Sequence, residues 1–227
     1  MNPRGDRMKT TKVLMVLTNR DHYDETHPTG QWLEEFAEPY RAFLAAGYEV
    51  TLASPLGGRV PLDPVSVPDV IPEKWQAAYD ALQSVAVLEE VASRDYDAVV
   101  IPGGHGPLFD LAVDPTLAQV LVCANAKNRL IAAVCHGQAG LVSAKNEEGT
   151  SIFADYRVTG FSNREEEIAG LDKLVPFALE TRLVELGTRY EAKEPWHPHV
   201  VVDRNLITGQ NPQSSELFAK TIVEALS

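Results

Sequence analysis

Short apolar runs alternate with longer amphipathic segments along most of the chain. The clearest runs are residues 13–18, 48–53, 96–101 and 130–134. The first and third of these are apolar on both faces, which predicts strands buried on both sides. Weaker strand patterns occur at 156–159, 200–202 and 206–208.

The intervening segments carry apolar residues three and four positions apart, the spacing of amphipathic helices. Residues 29–46 have this spacing, although Pro39 predicts a kink or a late helix start, and Gly47 is placed to end the helix. Further helices are predicted at 115–127, 138–144, 176–186 and 212–226. Buried strands that alternate with helices predict an α/β, flavodoxin-like three-layer sandwich, with a mostly parallel central sheet and helices on both faces.

The chain is predicted to form a single domain over residues 12–227, preceded by a flexible polar tail at 1–11. Residues 54–93 begin with a stretch rich in proline and continue with two predicted helices, at 73–83 and 87–93. Long irregular segments in compact domains are often functional, so we expect residues 54–93 to be an insertion over the cleft.

Composition narrows the function classes. The 227 residues carry a formal net charge of −12, which disfavours binding to nucleic acid or to an anionic membrane surface. No apolar run approaches the ~20 residues that span a bilayer, and the polar N-terminus lacks the apolar core of a signal peptide. Two cysteines are too few for a disulfide scaffold, so the cytoplasm is the expected location.

The strongest chemical signal is Cys135, which directly follows the run 130–134. Small residues two positions to either side, Ala133 and Gly137, permit the sharp strand-to-helix turn of a nucleophile elbow. At a helix N-terminus the sulfur would be exposed and stabilised as a thiolate. The backbone N–H groups of His136 and Gly104 would form the oxyanion site. The other cysteine, Cys123, is interpreted as a buried structural residue.

Several motifs together resemble the ThiJ/PfpI superfamily, in its glyoxalase III and heat-shock chaperone branch. They are AVCHG at 133–137, PGGHG at 102–106, TGQWLEEFAEPY at 29–40, ASPLGG at 53–58, TGF at 159–161 and TGQNP at 208–212. The resemblance extends over residues 12–226. It implies a fold like that of class I glutamine amidotransferases, no cofactor, and a homodimer.

The resemblance also implies partners for Cys135. A glutamate of the first helix, placed four residues before Pro39, corresponds to Glu35, whereas Glu34 and Glu38 fit a solvated helix face. His136 and an acid after the TGF motif complete a Cys-His-acid set. The spacing favours Glu166 for that acid, although the acidic run at 162–167 fits a solvated first helical turn equally well.

Other candidates are weaker. Relatives hold a metal near the positions of His22 and His27, but no ligand spacing is present, so no metal site is expected. The stretch 196–199 (WHPH) either lines the pocket or packs as a loop. Nucleotide-binding glycine patterns are absent.

Three functions fit these residues. The leading hypothesis is a cofactor-independent enzyme of the glyoxalase III type, which converts a small aldehyde such as methylglyoxal to a 2-hydroxy acid through a Cys135 hemithioacetal. Glu35, His136 and Glu166 would be its other catalytic residues. The second hypothesis is a cysteine amidase or peptidase, because an elbow with an oxyanion site serves acyl transfer equally well. The third is a stress chaperone or oxidative sensor based on an easily oxidised Cys135.

Overall fold

A computed structural model describes residues 10–227, so the predicted tail at 1–11 lies almost entirely outside the described residues. Nine strands are present in this part of the chain: β1 (Lys12–Val16), β2 (Glu49–Ser54), β3 (Ala86–Val87), β4 (Ala98–Ile101), β5 (Leu130–Val134), β6 (Arg157–Val158), β7 (Arg189–Tyr190), β8 (Val200–Asp203) and β9 (Leu206–Gly209). Seven of them form one sheet in the order β3-β2-β1-β4-β5-β9-β8. Only β8 runs antiparallel to its neighbour, which confirms the predicted mostly parallel sheet.

The helices of the described residues are α1 (Leu33–Ala45), α2 (Gln76–Ala81), α3 (Leu88–Val91), α4 (Pro115–Ala126), α5 (Ala139–Val142), α6 (Asn163–Ala169), α7 (Leu179–Glu185) and α8 (Ser215–Leu226). From β1 the chain crosses through α1 to β2 in one direction, and from β4 it crosses through α4 to β5 in the other. Right-handed crossovers therefore place α1 and α4 on opposite faces of the sheet. Helix α8 packs against α1, whereas α3 and α5 pack against α4. The three-layer α/β prediction is confirmed.

Several boundaries differ from the sequence prediction. Helix α1 begins at Leu33 and not at residue 29, because Gln31 is drawn into a bridge with Leu62 and its N–H donates to the Pro61 carbonyl at 2.8 Å. The helix continues through Pro39. The predicted strand near residue 157 is β6, which pairs with β7 in a separate two-stranded sheet.

Residues 54–93 contribute to two parts of the structure, the edge of the main sheet and the border of a cavity. Ala86 and Val87 form the edge strand of the main sheet, beside Ala53 and Ser54 of β2. Pro64 and Val65 instead border the cavity onto which Cys135 opens. The helix predicted over 87–93 is present as α3, but Val87 belongs to the edge strand, which is too short for its alternation to be detected.

The expectation that Cys123 is a buried structural residue is wrong. It lies in α4 as predicted but is exposed, and its sulfur accepts a hydrogen bond from Gln119 Nε2 at 3.2 Å. The buried face of this helix consists of Leu117, Val120, Leu121 and Ala124. Those positions recur at intervals of three and four, and Cys123 falls outside them.

Within residues 10–227, no single helix has both the length and the apolar character needed to cross a membrane. The bent pair of helical segments Gly106–Val113 and Pro115–Ala126 meets those criteria of length and composition only when the two are taken together.

The strand order reverses between β1 and β4. In parallel α/β sheets, ligands bind outside the carboxyl ends of the strands near such a reversal. The segments that follow β1, β4 and β5 carry Glu35, His105 and Cys135 respectively. The fold thus brings side chains from three distant parts of the sequence to one edge of the sheet.

Candidate active site

Cys135 occupies a strained turn immediately after β5. Its φ is +57°, in the left-handed region that residues with a side chain seldom adopt. Gly137 makes the turn possible, because a Cβ atom there would collide with the Ile101 carbonyl oxygen. Gln138 anchors the turn by donating to the carbonyls of Thr159 at 2.7 Å and Gly209 at 2.8 Å. The elbow geometry predicted from the small residues is present.

The thiol itself departs from expectation. Cys135 is only 3% exposed, and the turn continues as a 3₁₀ segment, Cys135–Gln138, before the four-residue helix α5. Burial, followed by the nearby Glu35, raises the pKa of the Cys135 thiol well above its usual value, and the His136 backbone N–H only partly opposes this. The predicted exposure of the thiol is therefore wrong, and so short a helix offers little dipole to offset its desolvation.

His136 and Glu166 form a hydrogen-bonded chain with Cys135. The His136 Nδ1 atom lies 3.4 Å from Cys135 Sγ, and its Nε2 atom lies 2.7 Å from Glu166 Oε2. Burial opposes ionisation of Glu166, but its interactions with His136 and His105 outweigh this effect and lower the pKa of the carboxyl. A carboxylate only accepts hydrogen bonds, so we assign the proton of neutral His136 to Nε2, which leaves Nδ1 free to accept the thiol proton.

The position of Glu166 follows from the local sequence. Ser162 and Glu165 form a reciprocal capping box at the start of α6. This cap fixes the first helical turn, in which Glu166 is 4% exposed. Glu166 is thus not part of a solvated helical turn, which was the alternative that the acidic run left open.

His105 is a site residue that the sequence reasoning missed. Its Nε2 atom lies 2.8 Å from Glu166 Oε1, and its ring centroid lies 3.9 Å from that of His136. Burial, followed by repulsion from His136, lowers the pKa of His105 to about 4, so it is neutral at pH 7. The signal was available, because His105 belongs to the PGGHG motif after β4, from which only Gly104 had been selected.

Glu35 lies on the other side of Cys135, in the first turn of α1. It is fully buried, and neither carboxyl oxygen has a hydrogen-bond partner of full geometry. The Cys135 thiol and the Gly103 N–H are its nearest polar neighbours. Burial raises the pKa of Glu35 well above the usual range, which favours the protonated, neutral form of this carboxyl group.

The two neighbouring glutamates have different environments. Glu34 is half-buried at the cavity, and burial raises its pKa. Glu38 was expected on a solvated face but is 1% exposed, with ion pairs to Arg41 at 2.7 Å and Lys74 at 2.6 Å. Glu38 therefore has structural partners that Glu35 lacks.

Two glycines allow α1, β4 and Cys135 to approach one another. A Cβ atom on Gly103 would meet Glu35 Oε2 and would lie 2.9 Å from Cys135 Cβ. Gly104 has a φ of +97°, and a Cβ atom there would lie 2.6 Å from the Trp32 backbone nitrogen. Gly104 borders the cavity, and the His136 N–H lies beside the Cys135 sulfur. Their role as oxyanion donors stays a prediction.

The Cys135, Gly104 and His105 residues open onto a cavity of about 660 Å³. This volume lies within the range of ~300–1,000 Å³ that is typical of small-molecule sites. The structure thus gathers Glu35, His136 and Glu166 around Cys135, which lines the cavity, and their catalytic roles stay predictions.

Some of these side chains also have the chemistry of metal ligands. His105, His136 and Glu166 offer ligand atoms that all lie within 4.8 Å of one another. These atoms bond to one another through the hydrogen bonds described above, which accounts for their arrangement. The two loop histidines make local pairs, His22 with Asp21 at 2.9 Å and His27 with Asp24 at 2.8 Å.

Comparison with known proteins defines the class. The DJ-1/PfpI family model matches residues 29–225, so the chain belongs to the DJ-1/PfpI family. The predicted superfamily membership is thereby confirmed.

Individual relatives are similar to this chain over nearly its full length. The chain is 28% identical to glyoxalase 3 of Candida albicans over 230 residues, which cover 94% of this chain and 98% of that protein. It is also 28% identical to the glutathione-independent glyoxalase HSP31 of Saccharomyces cerevisiae, with 96% and 99% coverage. The X-ray structure of the Francisella tularensis rapid encystment protein REP24 is 36% identical, has a TM-score of 0.90, and covers 96% of this chain and 100% of that one.

Proposed function

We propose that the protein is a glutathione-independent glyoxalase, which converts a 2-oxoaldehyde and water to a 2-hydroxy acid without a cofactor. The observation that carries the proposal is Glu35, a fully buried and unpartnered carboxyl group beside the Cys135 thiol. Such a group is suited to moving protons between carbon and oxygen within an enclosed site. The glyoxalase names of two relatives with nearly full coverage support the same reaction class.

The first stage forms a covalent adduct. His136 Nδ1 accepts the thiol proton, and Glu166 stabilises the resulting imidazolium. The Cys135 thiolate then adds to the aldehyde carbon, and the carbonyl electron pair moves onto oxygen. Glu35, initially protonated, gives its proton to this oxyanion, which yields a hemithioacetal and leaves Glu35 as a carboxylate. The raised pKa of the thiol makes this coupled transfer through His136 necessary.

The second stage moves hydrogen between the two carbons. The Glu35 carboxylate removes the proton from the sulfur-bearing carbon, and the imidazolium of His136 protonates the neighbouring oxygen to give an enediol. Glu35 returns its proton to the second carbon and receives the hydroxyl proton of the first. The product is a thioester in which the aldehyde carbon has been oxidised and the ketone carbon reduced.

The third stage releases the acid. Water, deprotonated by His136, attacks the thioester carbon, and the bond between carbon and sulfur breaks. The departing Cys135 thiolate recovers the proton from His136. The net change is the addition of one water molecule, so no external oxidant or reductant is needed.

The test is the formation of lactate from methylglyoxal without glutathione, followed by NMR. We expect turnover by the wild type, and a loss of about 10³-fold or more in Cys135→Ala, because the covalent route is removed. Full activity in Cys135→Ala, or no lactate from the wild type, would contradict the proposal.

A second candidate function is hydrolysis of small amides. The alignment of Cys135, His136 and Glu166, with spacings of 3.4 Å and 2.7 Å, favours it, because acyl transfer needs an oriented cysteine–histidine pair. The discriminating measurement is ammonia release from small amides, compared with lactate formation by the same preparation. Amidase chemistry has no evident use for Glu35, so Glu35→Gln is expected to spare ammonia release but not lactate formation.

A further inference from the structure

The cavity at Cys135 is much larger than methylglyoxal requires. Its volume of about 660 Å³ is within the ~300–1,000 Å³ range of pockets that enclose drug-sized ligands, whereas methylglyoxal has only three carbons. The space away from the reactive groups is bordered mainly by apolar side chains, namely Pro64, Val65, Phe161, Leu171, Leu174 and Trp196. An apolar space of this kind favours a ligand with an apolar tail.

Phe161 and Trp196 form an aromatic wall of this space, and the buried ring of His136 packs against Phe161. The His136 and Phe161 ring centroids are 4.5 Å apart, and the Phe161 and Trp196 centroids are 5.6 Å apart. Trp196 is 38% exposed, so the three rings run from the imidazole beside Cys135 to a ring that is open to solvent. A planar ligand attached to Cys135 would lie along this wall and make edge or offset contacts with the rings.

Trp196 is held in place against its backbone preference. Its φ is +64°, a conformation that bulky residues rarely adopt. Its backbone N–H donates to Glu165 Oε1 at 3.0 Å, and the same oxygen accepts a hydrogen bond from Asn211 Nδ2 at 2.8 Å. Glu165 is fully buried. Backbone strain that is stabilised by a buried network is found preferentially at functional sites, which distinguishes Trp196 from an ordinary loop residue.

The charge of the cavity limits the kind of tail. Among the described residues that line it, none is a lysine or an arginine, whereas two are carboxylic residues, Glu34 and Asp63. Asp63 is 4% exposed and accepts hydrogen bonds from Thr29 Oγ1 at 3.0 Å and from the Val65 backbone N–H at 2.9 Å. A phosphorylated or carboxylated tail would meet these groups without a cation to neutralise it.

We propose that Phe161 and Trp196 form a subsite for an uncharged aromatic or bulky alkyl tail on the 2-oxoaldehyde, and that Trp196 determines this specificity. The inference rests on the proposed function and goes beyond it, because it names the class of substrate. The preferred substrates are aryl and larger alkyl 2-oxoaldehydes, with phenylglyoxal as the simplest probe.

The test compares kcat/KM for phenylglyoxal with kcat/KM for methylglyoxal across variants. The variants are Trp196→Asn, Trp196→Phe and Leu217→Ala. Asparagine tolerates the left-handed conformation, so Trp196→Asn removes the ring without adding strain. We expect it to lower the ratio of the two kcat/KM values roughly tenfold, in line with the loss of an aromatic contact. Phenylalanine retains a ring, so Trp196→Phe should keep most of the ratio.

Two further measurements complete the design. Leu217 is an exposed apolar residue outside the cavity, so Leu217→Ala is the matched control and should change neither rate constant. A para-carboxylate on phenylglyoxal should lower its kcat/KM in the wild type. An unchanged ratio in Trp196→Asn, or a preference for the carboxylated aldehyde, would overturn the inference while leaving glyoxalase activity intact.

A binding measurement separates this inference from the proposed reaction. Acetophenone has the aromatic tail but no aldehyde, so its binding needs no chemistry. We expect saturation-transfer NMR to detect acetophenone on Cys135→Ala and to show a weaker signal on the double variant with Trp196→Asn. Equal signals on both proteins would overturn the subsite, even if neither aldehyde were turned over by the wild type.

Discussion

Two buried glutamates lie on opposite sides of the Cys135–His136 turn, and they are in opposite states. Glu35, from α1, has no hydrogen-bond partner of full geometry, and burial raises its pKa. Glu166, from α6, bonds to two imidazoles at 2.7 and 2.8 Å, and its pKa is lowered despite burial. The same residue type thus has its pKa raised on one side and lowered on the other.

The hydrogen-bond partners of each carboxyl group, more than its burial, therefore set the direction in which its pKa moves. Desolvation is the largest single effect on both groups and raises the pKa of each. Two adjacent imidazoles reverse the outcome at Glu166, and nothing reverses it at Glu35. Glu166, from α6, therefore orients His136 and would stabilise its imidazolium. Glu35, from α1, keeps a proton available next to the Cys135 sulfur.

Glu35→Gln provides the most severe test of this comparison. Glutamine has nearly the same shape as a protonated glutamate but transfers no proton, so lactate formation should fall by about 10²–10⁴-fold with the fold intact. Glu34→Gln, one residue away in the same helical turn, is the matched control and should lose only a few-fold. Comparable losses of activity in the two variants would contradict a proton-transfer role that belongs to Glu35 alone.

Glu166→Gln should affect both activity and stability. The amide carries no charge, and its NH2 group places a donor opposite one of the two imidazole N–H groups that Glu166 accepts, so the support of His136 is weakened. We expect kcat to fall by about 10²-fold, and the free energy of unfolding to fall by about 2 kcal/mol at pH 7. Urea denaturation measures the second effect. An unchanged denaturation midpoint would show that the bridge between the histidines contributes nothing to stability.

The pH dependence of stability should have opposite signs for the two glutamates. Above about pH 4.3 the unfolded chain releases the Glu35 proton while the native protein retains it, so this group makes the protein less stable as pH rises towards its folded pKa. Glu35→Gln should therefore gain stability relative to the wild type as the pH rises from about 4 towards the folded pKa of Glu35. Glu166 is ionised in the native protein, so its contribution is present above its unfolded pKa and is lost as the pH falls below it.

Thermal melts of both variants and of the wild type across this pH range measure these differences. The wild-type melting temperature is subtracted at each pH. The difference should become more positive with rising pH for Glu35→Gln and more negative for Glu166→Gln. Parallel trends in the two variants would contradict the assigned protonation states.

The sequence was sufficient for the fold and for the elbow, because both depend on local patterns. Buried strands appear as apolar runs, and the turn at Cys135 requires small neighbours at fixed positions, here Ala133 and Gly137. The electrostatics of the site were not predictable in this way. The thiol was expected to be an exposed thiolate, and its burial depends on β4 and α1, which lie far away in the sequence.

Residues whose environment depends on tertiary contacts were the ones misinterpreted. Glu38 fits a solvated helix face until Lys74, contributed by the segment 54–93, is brought to it at 2.6 Å. His105 acquires its significance only when α6 places Glu166 at 2.8 Å. No local spacing encodes either distance, since each joins parts of the chain that are separated by dozens of residues.

Substitution of His105 should have the smallest effect, and it tests how Glu166 is shared between His105 and His136. The His105 Nε2–H donates to Glu166 without facing Cys135, so His105 acts as a positioning residue through that carboxylate. His105→Leu removes one hydrogen-bond donor from Glu166, which makes the carboxylate a stronger partner for His136. The stronger carboxylate stabilises the imidazolium, so the acid limb of the profile of kcat/KM against pH should move to higher pH, and activity at pH 7 should fall by roughly tenfold.

His105→Gln separates this positioning role from simple packing. The glutamine amide can place a donor near the position of His105 Nε2, so it should return the acid limb towards its wild-type pH, whereas leucine should not. A purely structural role predicts a loss of stability without a displaced pH profile. If leucine and glutamine give the same profile as the wild type, Glu166 is held by His136 alone, and the two-histidine description of this side of the site is wrong.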